Sequence, residues 1–246
     1  MIPLRDRNPT RRPPVVTFAL IAACFAVFAV ELWISLTAGD DALERFLEDW
    51  GAVPSRITAA IAAGQLVSQP ILGMVTSQFL HGGWLHIAGN MLFLWIFGNN
   101  VEDRLGRLAF LGFYLLGGIA AALTQVWIDP GSSAPLVGAS GAIAAVLGVY
   151  VILWPGARIL SLVFLGFFYQ LLEVPALIVL GYWFVLQLVS GAASLGAQTA
   201  ESGVAFFAHI GGFAAGAIVG IVVRMTGLGR RALPGPYGRP SGGPMG

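Results

Sequence analysis

Charge is what this chain has least of. Only 10% of its 246 residues are Asp, Glu, Lys or Arg, while 57% are hydrophobic and the mean hydropathy is +0.81. A water-soluble domain needs roughly a quarter of its residues charged, so the composition excludes one and makes lipid the solvent. Lysine is missing and all thirteen basic residues are arginine, a compositional bias to which no mechanism attaches. A net charge of +1 gives nucleic acid nothing to bind. The single cysteine, Cys24, excludes an internal disulfide. Three histidines without a His-Glu-x-x-His helix leave a zinc hydrolase short of ligands and base. Neither a cofactor nor a metal is expected. The first apolar run is too long for a signal-peptide core and lacks a small-residue cleavage site, which predicts a retained helix.

What is present is a series of apolar runs. Crossing about 30 Å of hydrocarbon takes roughly twenty of them as a helix. Candidate spans are Val15 to Thr37, His81 to Phe97, Leu108 to Trp127, Leu136 to Trp154, Val174 to Val189 and Val204 to Val223. The expectation is an all-α membrane protein, a bundle of six transmembrane helices. Residues 1–14 form an N-terminal segment, 15–226 the six-helix domain, and 227–246 a disordered tail rich in Gly, Pro and Arg. Within the domain, 38–70 reads as an interfacial, partly helical first loop. Ile159 to Leu172 is apolar but too short to cross, and reads as a loop or hairpin dipping into the bilayer.

Arginines set the orientation. Arg5, Arg7, Arg11 and Arg12 precede the first span, Arg104 and Arg107 separate the second and third, Arg158 follows the fourth, and Arg224, Arg230, Arg231 and Arg239 follow the sixth. The positive-inside rule then places both termini in the cytoplasm. The absence of further domains and of a transit peptide favours a prokaryotic cytoplasmic membrane.

Ionisable or hydrogen-bonding residues within a span are expensive and point to function. His86 and Asn90 lie in the second span, Ser140 in the fourth and His209 in the sixth. All three spans enter from the outer side, and at about 1.5 Å per residue the four side chains fall within roughly 5–10 Å of that boundary. Ser140 continues along a face of Ala144 and Gly148, and His209 along one of Gly212, Gly216 and Gly220. Small residues at helical spacing let two backbones approach closely in lipid, which would bring hydroxyl and imidazole together. A serine hydroxyl is a weak nucleophile that needs such a base. His86 and Asn90 share a helical face and carry N–H donors suited to a developing oxyanion. No acid lies at that depth, so the expected machine is a Ser–His dyad. His81, at the mouth of its span, stays outside the catalytic set.

The stretches His81-Gly-Gly-Trp-Leu-His86-Ile-Ala-Gly-Asn90, Gly138-Ala-Ser140-Gly141 and Ala208-His209 with Gly212 and Gly216 resemble the rhomboid family of intramembrane serine proteases. Val101-Glu102-Asp103-Arg104-Leu105-Gly106 is similar to that family's acidic segment after its second helix. The resemblance runs from roughly Val75 to Gly220 and implies a rhomboid-like six-helix bundle. It implies Ser140 as nucleophile, His209 as general base, and His86 and Asn90 as oxyanion donors. The backbone N–H of Ser140 adds a donor, and Gly138 joins the oxyanion and substrate-binding set. Gly212 and Gly216 are helix-packing residues. Two departures stand out. Many members carry a ring one turn after the serine where this chain has Ala144, and the first loop lacks a Trp-Arg pair, since Gly51 follows Trp50.

Three other functions compete: a membrane metalloprotease, a non-catalytic relative that escorts transmembrane helices, and a transporter. The missing zinc motif weighs against the first and the presence of both Ser140 and His209 against the second. The third suffers from the absence of repeated halves. The expected reaction is amide hydrolysis in or near a transmembrane helix of another membrane protein, through an acyl-enzyme. Such a helix must unwind locally to expose its carbonyls. Small residues at the cut, with helix breakers below it, suit that requirement. Gly191 to Gly203, rich in Gly, Ala and Ser, reads as a cap over the site.

Overall fold

The structure, a computed structural model, describes residues 1–165, 168–196 and 206–229. The tail from 230 onward and most of the expected cap lie outside the described residues. The chain is mostly helical. After a strand β1 (Ile2–Asp6) come α1 (Val15–Ala38), α2 (Asp40–Trp50), α3 (Pro54–Ala62), α4 (Gln69–Thr76) and a 3-10 turn at Ser77–Phe79. Then follow α5 (Trp84–Leu105), α6 (Arg107–Ile128), α7 (Ser140–Leu153), β2 (Arg158–Leu165), β3 (Phe168–Pro175), α8 (Ala176–Gly196) and α9 (Phe206–Thr226).

Among the described residues, three of the six expected spans, α1, α6 and α9, are long and apolar enough to cross a membrane. This is an integral membrane protein. Exposed Trp33, Leu116 and Ile218 on these helices are the apolar surface that lipid covers. Helices α5 and α7 depart from that standard for local reasons. Helix α5 runs on past the apolar stretch to Glu102, Asp103 and Arg104 before Gly106, at φ +87°, lets the chain turn into α6. Helix α7 has only 14 residues, about 21 Å of helix, because the chain ahead of Ser140 is not helical. Helix α8 runs for 21 residues, Ala176–Gly196.

Helix α7 is the centre of the bundle, with Ala142 to Val151 all buried. Its neighbour α9 lies against it almost backbone to backbone. A Cβ added to Gly212 would meet the Gly141 carbonyl, one on Gly216 the Ala145 carbonyl, and one on Gly148 the Phe213 carbonyl. Only glycine permits that approach, which is how small-residue faces associate in lipid. On its other sides α7 packs against α5 and α6, where Phe97, Phe110, Tyr114 and Leu147 are fully buried.

The first loop folds as three short helices, α2 to α4. It is anchored without a Trp-Arg pair. Arg56 bridges Glu48 at 3.1 Å, the Thr76 hydroxyl donates to the Trp50 carbonyl at 2.6 Å, and Ala52 exchanges backbone hydrogen bonds with Leu136. The last contact ties the loop to the segment leading into Ser140.

The segment 159–172 is a hairpin, and the chain's own N-terminus completes it. Strands β1, β2 and β3 form an antiparallel sheet in that order, with Ile2 opposite Leu162 and Arg158 opposite Pro175. Arg7 pairs with Glu173 at 3.0 Å, and the Tyr150 hydroxyl donates to Asp6 at 2.7 Å. Burial pushes the Asp6 carboxyl up to about 6, against the lowering effect of the Tyr150 hydrogen bond. Within the N-terminal segment, residues 2–6 are a strand that locks onto the hairpin.

Candidate active site

Ser140 is the first residue of α7, and the segment before it explains why the helix starts there. Gly138 holds φ +121°, a backbone conformation open to glycine, and its N–H donates to the Ser77 carbonyl at 2.9 Å. The serine thus sits where the unpaired N–H groups and the positive end of the helix dipole face outward. Its Oγ lies 2.7 Å from Nε2 of His209, which stands near the start of α9. The glycine contacts of α7 with α9 hold this pair in register.

His209 is 9% exposed, and both of its nitrogens are engaged. Nδ1 is 2.8 Å from Oε1 of Gln187, on α8. The Trp183 ring, one turn earlier on α8, lies beside the imidazole with centroids 5.9 Å apart and planes at 40°.

On the opposite wall stand His86 and Asn90, one turn apart on α5. The Gly82 N–H donates to His86 Nδ1 at 3.3 Å, so in the neutral ring the proton is on Nε2. A Cβ built on Gly138 would fall 2.6 Å from that Nε2 and 3.4 Å from the Asn90 Nδ2. Both donors thus converge on the turn just before Ser140. The Asn90 amide nitrogen is buried and makes no hydrogen bond among the described residues. Ser140, His209, His86, Asn90 and Gly138 line one cavity of about 690 Å³, whose walls carry no Asp or Glu among the described residues.

His81 is elsewhere. It is buried and its N–H donates to Glu31 of α1 at 3.0 Å, while its ring packs edge-on against His86 at 5.3 Å. It buttresses the His86 ring without lining the cavity.

Residues 68–226 match the family model described as the Rhomboid domain. The chain belongs to the rhomboid family. Among its relatives, Rhomboid-like protein 11, chloroplastic, of Arabidopsis thaliana is 36% identical over 97 residues, covering 38% of this chain and 34% of that protein. Rhomboid protein 1, mitochondrial, of Saccharomyces cerevisiae is 36% identical over 97 residues, covering 38% of this chain and 28% of that protein. RHOMBOID-like protein 4 of Arabidopsis thaliana is 29% identical over 220 residues, covering 82% of this chain and 51% of that protein. The chain therefore spans between 28% and 51% of the length of these three relatives. Two of the names place rhomboids in organelles, so the expectation of a prokaryotic cytoplasmic membrane draws no support from them.

Sequence reasoning missed Gln187 and Trp183. The signal for Gln187 was available, since an amide inside an apolar run is as conspicuous as Asn90. Trp183 has no such mark, because tryptophan is common in lipid-facing helices. In this rhomboid, the ring absent at Ala144 on α7 is supplied from α8 instead.

Proposed function

We propose that this rhomboid is an intramembrane serine endopeptidase that hydrolyses peptide bonds in or near transmembrane helices of other membrane proteins. The observation that carries the reading is the 2.7 Å separation of His209 Nε2 and Ser140 Oγ. At that distance the imidazole takes the hydroxyl proton as Oγ attacks the substrate carbonyl. The resulting oxyanion forms at the positive end of α7, beside the Ser140 backbone N–H, His86 Nε2–H and the unpaired Asn90 amide. His209 then hands its proton to the leaving amine, the C–N bond breaks and an ester remains on Ser140. A water deprotonated by the same imidazole hydrolyses that ester and restores the serine.

Among the described residues no carboxylate lines the cavity, which favours a Ser–His dyad over carboxylate-assisted chemistry. Among the described residues, no three His, Cys, Asp or Glu side chains gather into a metal-binding group. Glycines on both sides of the α7–α9 contact support Gly212 and Gly216 as packing residues, and the donors converging on Gly138 support its place at the oxyanion site. The arginine distribution supports cytoplasmic termini with the site towards the opposite face.

The test is cleavage of a fluorogenic transmembrane substrate by the full chain in liposomes. Ser140→Ala and His209→Ala each abolish turnover under this reading. Undiminished cleavage by Ser140→Ala overturns it.

A further inference from the structure

We infer that Gln187 is a positioning residue for the base, holding the His209 imidazole in the one tautomer that can activate Ser140. The inference rests on the protease reading above and deepens it. It starts from proton accounting. For Nε2 to accept the Ser140 hydroxyl proton, it must carry none itself, so in the neutral ring the proton belongs on Nδ1. That N–H needs an acceptor, and the group 2.8 Å away is the Gln187 side-chain oxygen. Turning the imidazole tautomer over would place an N–H against the Ser140 hydroxyl and leave no lone pair to receive its proton.

The partner's chemistry suits its surroundings. A carboxylate here would be an ion behind His209, beside a cavity wall that carries no acid among the described residues, and burying a charge costs far more than burying a hydrogen-bonded amide. An amide oxygen fixes tautomer and ring orientation at the lower cost, while giving up the charge compensation that an Asp offers the imidazolium. Gln187 also has a second tie to the ring through its helix. Trp183 precedes it by one turn and lies against the same imidazole, while also packing on Phe213 of α9 at 6.2 Å. The imidazole is thus held at its edge by an acceptor and on its side by an indole, both from α8. Ala144, on α7, is too small to share that task.

The experiment is kinetic and spectroscopic on the full chain in liposomes. Gln187→Met keeps side-chain length and removes the acceptor. The expected result is a kcat lower by roughly a hundredfold, the lower range of a positioned base's contribution, with KM unchanged. Gln187→Glu, which keeps an oxygen at the same atom, recovers turnover towards the parent value. Gln187→Asn serves if the methionine variant does not fold, since it withdraws the oxygen by one carbon while keeping an amide, and it lowers kcat in the same sense. Nitrogen-15 spectra of the three labelled histidines give a Nδ1–H signal for His209 in the parent that Gln187→Met loses. Parent-like kcat in the methionine and asparagine variants, a change confined to KM, or a retained Nδ1–H signal overturns the inference. A parent chain that cleaves nothing overturns the protease reading instead, and the Nδ1–H signal still tests Gln187.

Discussion

The carboxylate of Glu102 closes on Thr17 twice, accepting its backbone N–H at 2.7 Å and its hydroxyl at 2.8 Å. It also accepts the Val16 N–H at 3.0 Å. Helix α1 starts behind Pro13 and Pro14 and has no side-chain cap of its own. The acidic end of α5 therefore supplies the cap from 85 residues away and fastens the first span to the bundle.

Removing that cap has a measurable cost. Glu102→Ala leaves the buried Thr17 N–H and the part-buried Val16 N–H without an acceptor, which costs about 2 kcal/mol on the scale of lost charged caps. Thermal unfolding in detergent reads this as a lower Tm, with Glu102→Gln falling between the variant and the parent. An unchanged Tm for Glu102→Ala removes the capping role.

The sheet carries its own pH dependence. Burial raises the Asp6 carboxyl from 3.8 in the unfolded chain to about 6 in the fold, so the folded state favours the protonated acid. The stabilisation is full below pH 3.8 and is lost as pH climbs through about 6. Docking of β1 on β2 is expected to loosen across that window. Asp6→Asn, neutral at every pH, flattens the dependence. Proteolysis of the N-terminus between pH 4 and pH 8 checks both, and equal rates for parent and variant across that range refute the linkage.

The α7–α9 contact links packing to chemistry. Gly216→Ala drives a methyl into the Ala145 carbonyl, so the helices must separate, at a cost of about 1–3 kcal/mol for an overpacked contact. Because His209 rides on α9, turnover falls with stability. Gly181→Ala, which meets no atom within 4 Å, leaves both near the parent values. Matched Tm and turnover measurements on the two variants decide the point.

Truncating Asn90 tests the oxyanion wall. Asn90→Ala is expected to lower kcat about 10²- to 10³-fold with KM little changed, as for a lost oxyanion donor. A rise in KM at constant kcat assigns Asn90 to substrate binding instead.

Much of this was legible in the residues because lipid makes polar groups conspicuous. His86, Asn90, Ser140 and His209 stood out against apolar runs, and their convergence on one cavity follows from helices that were easy to place. The glycine faces of α7 and α9 were equally plain, since their spacing is the contact. What escaped notice depends on partners far apart in the chain. β1 is a strand only because β2 lies beside it, and nothing in Ile2–Asp6 announces that pairing. Glu31 interrupts the first span, and its partner, the His81 N–H, lies 50 residues away. Gln187 is an uncharged amide, and its contact with His209 Nδ1 comes from a helix 22 residues away in the chain.

The central claim is that the Ser140 hydroxyl is made nucleophilic by the His209 imidazole. Intact mass after exposure to a fluorophosphonate tests it most directly. One adduct per chain is expected, mapped to Ser140 and lost in His209→Ala. A full adduct in either Ser140→Ala or His209→Ala, or none in the parent, contradicts it.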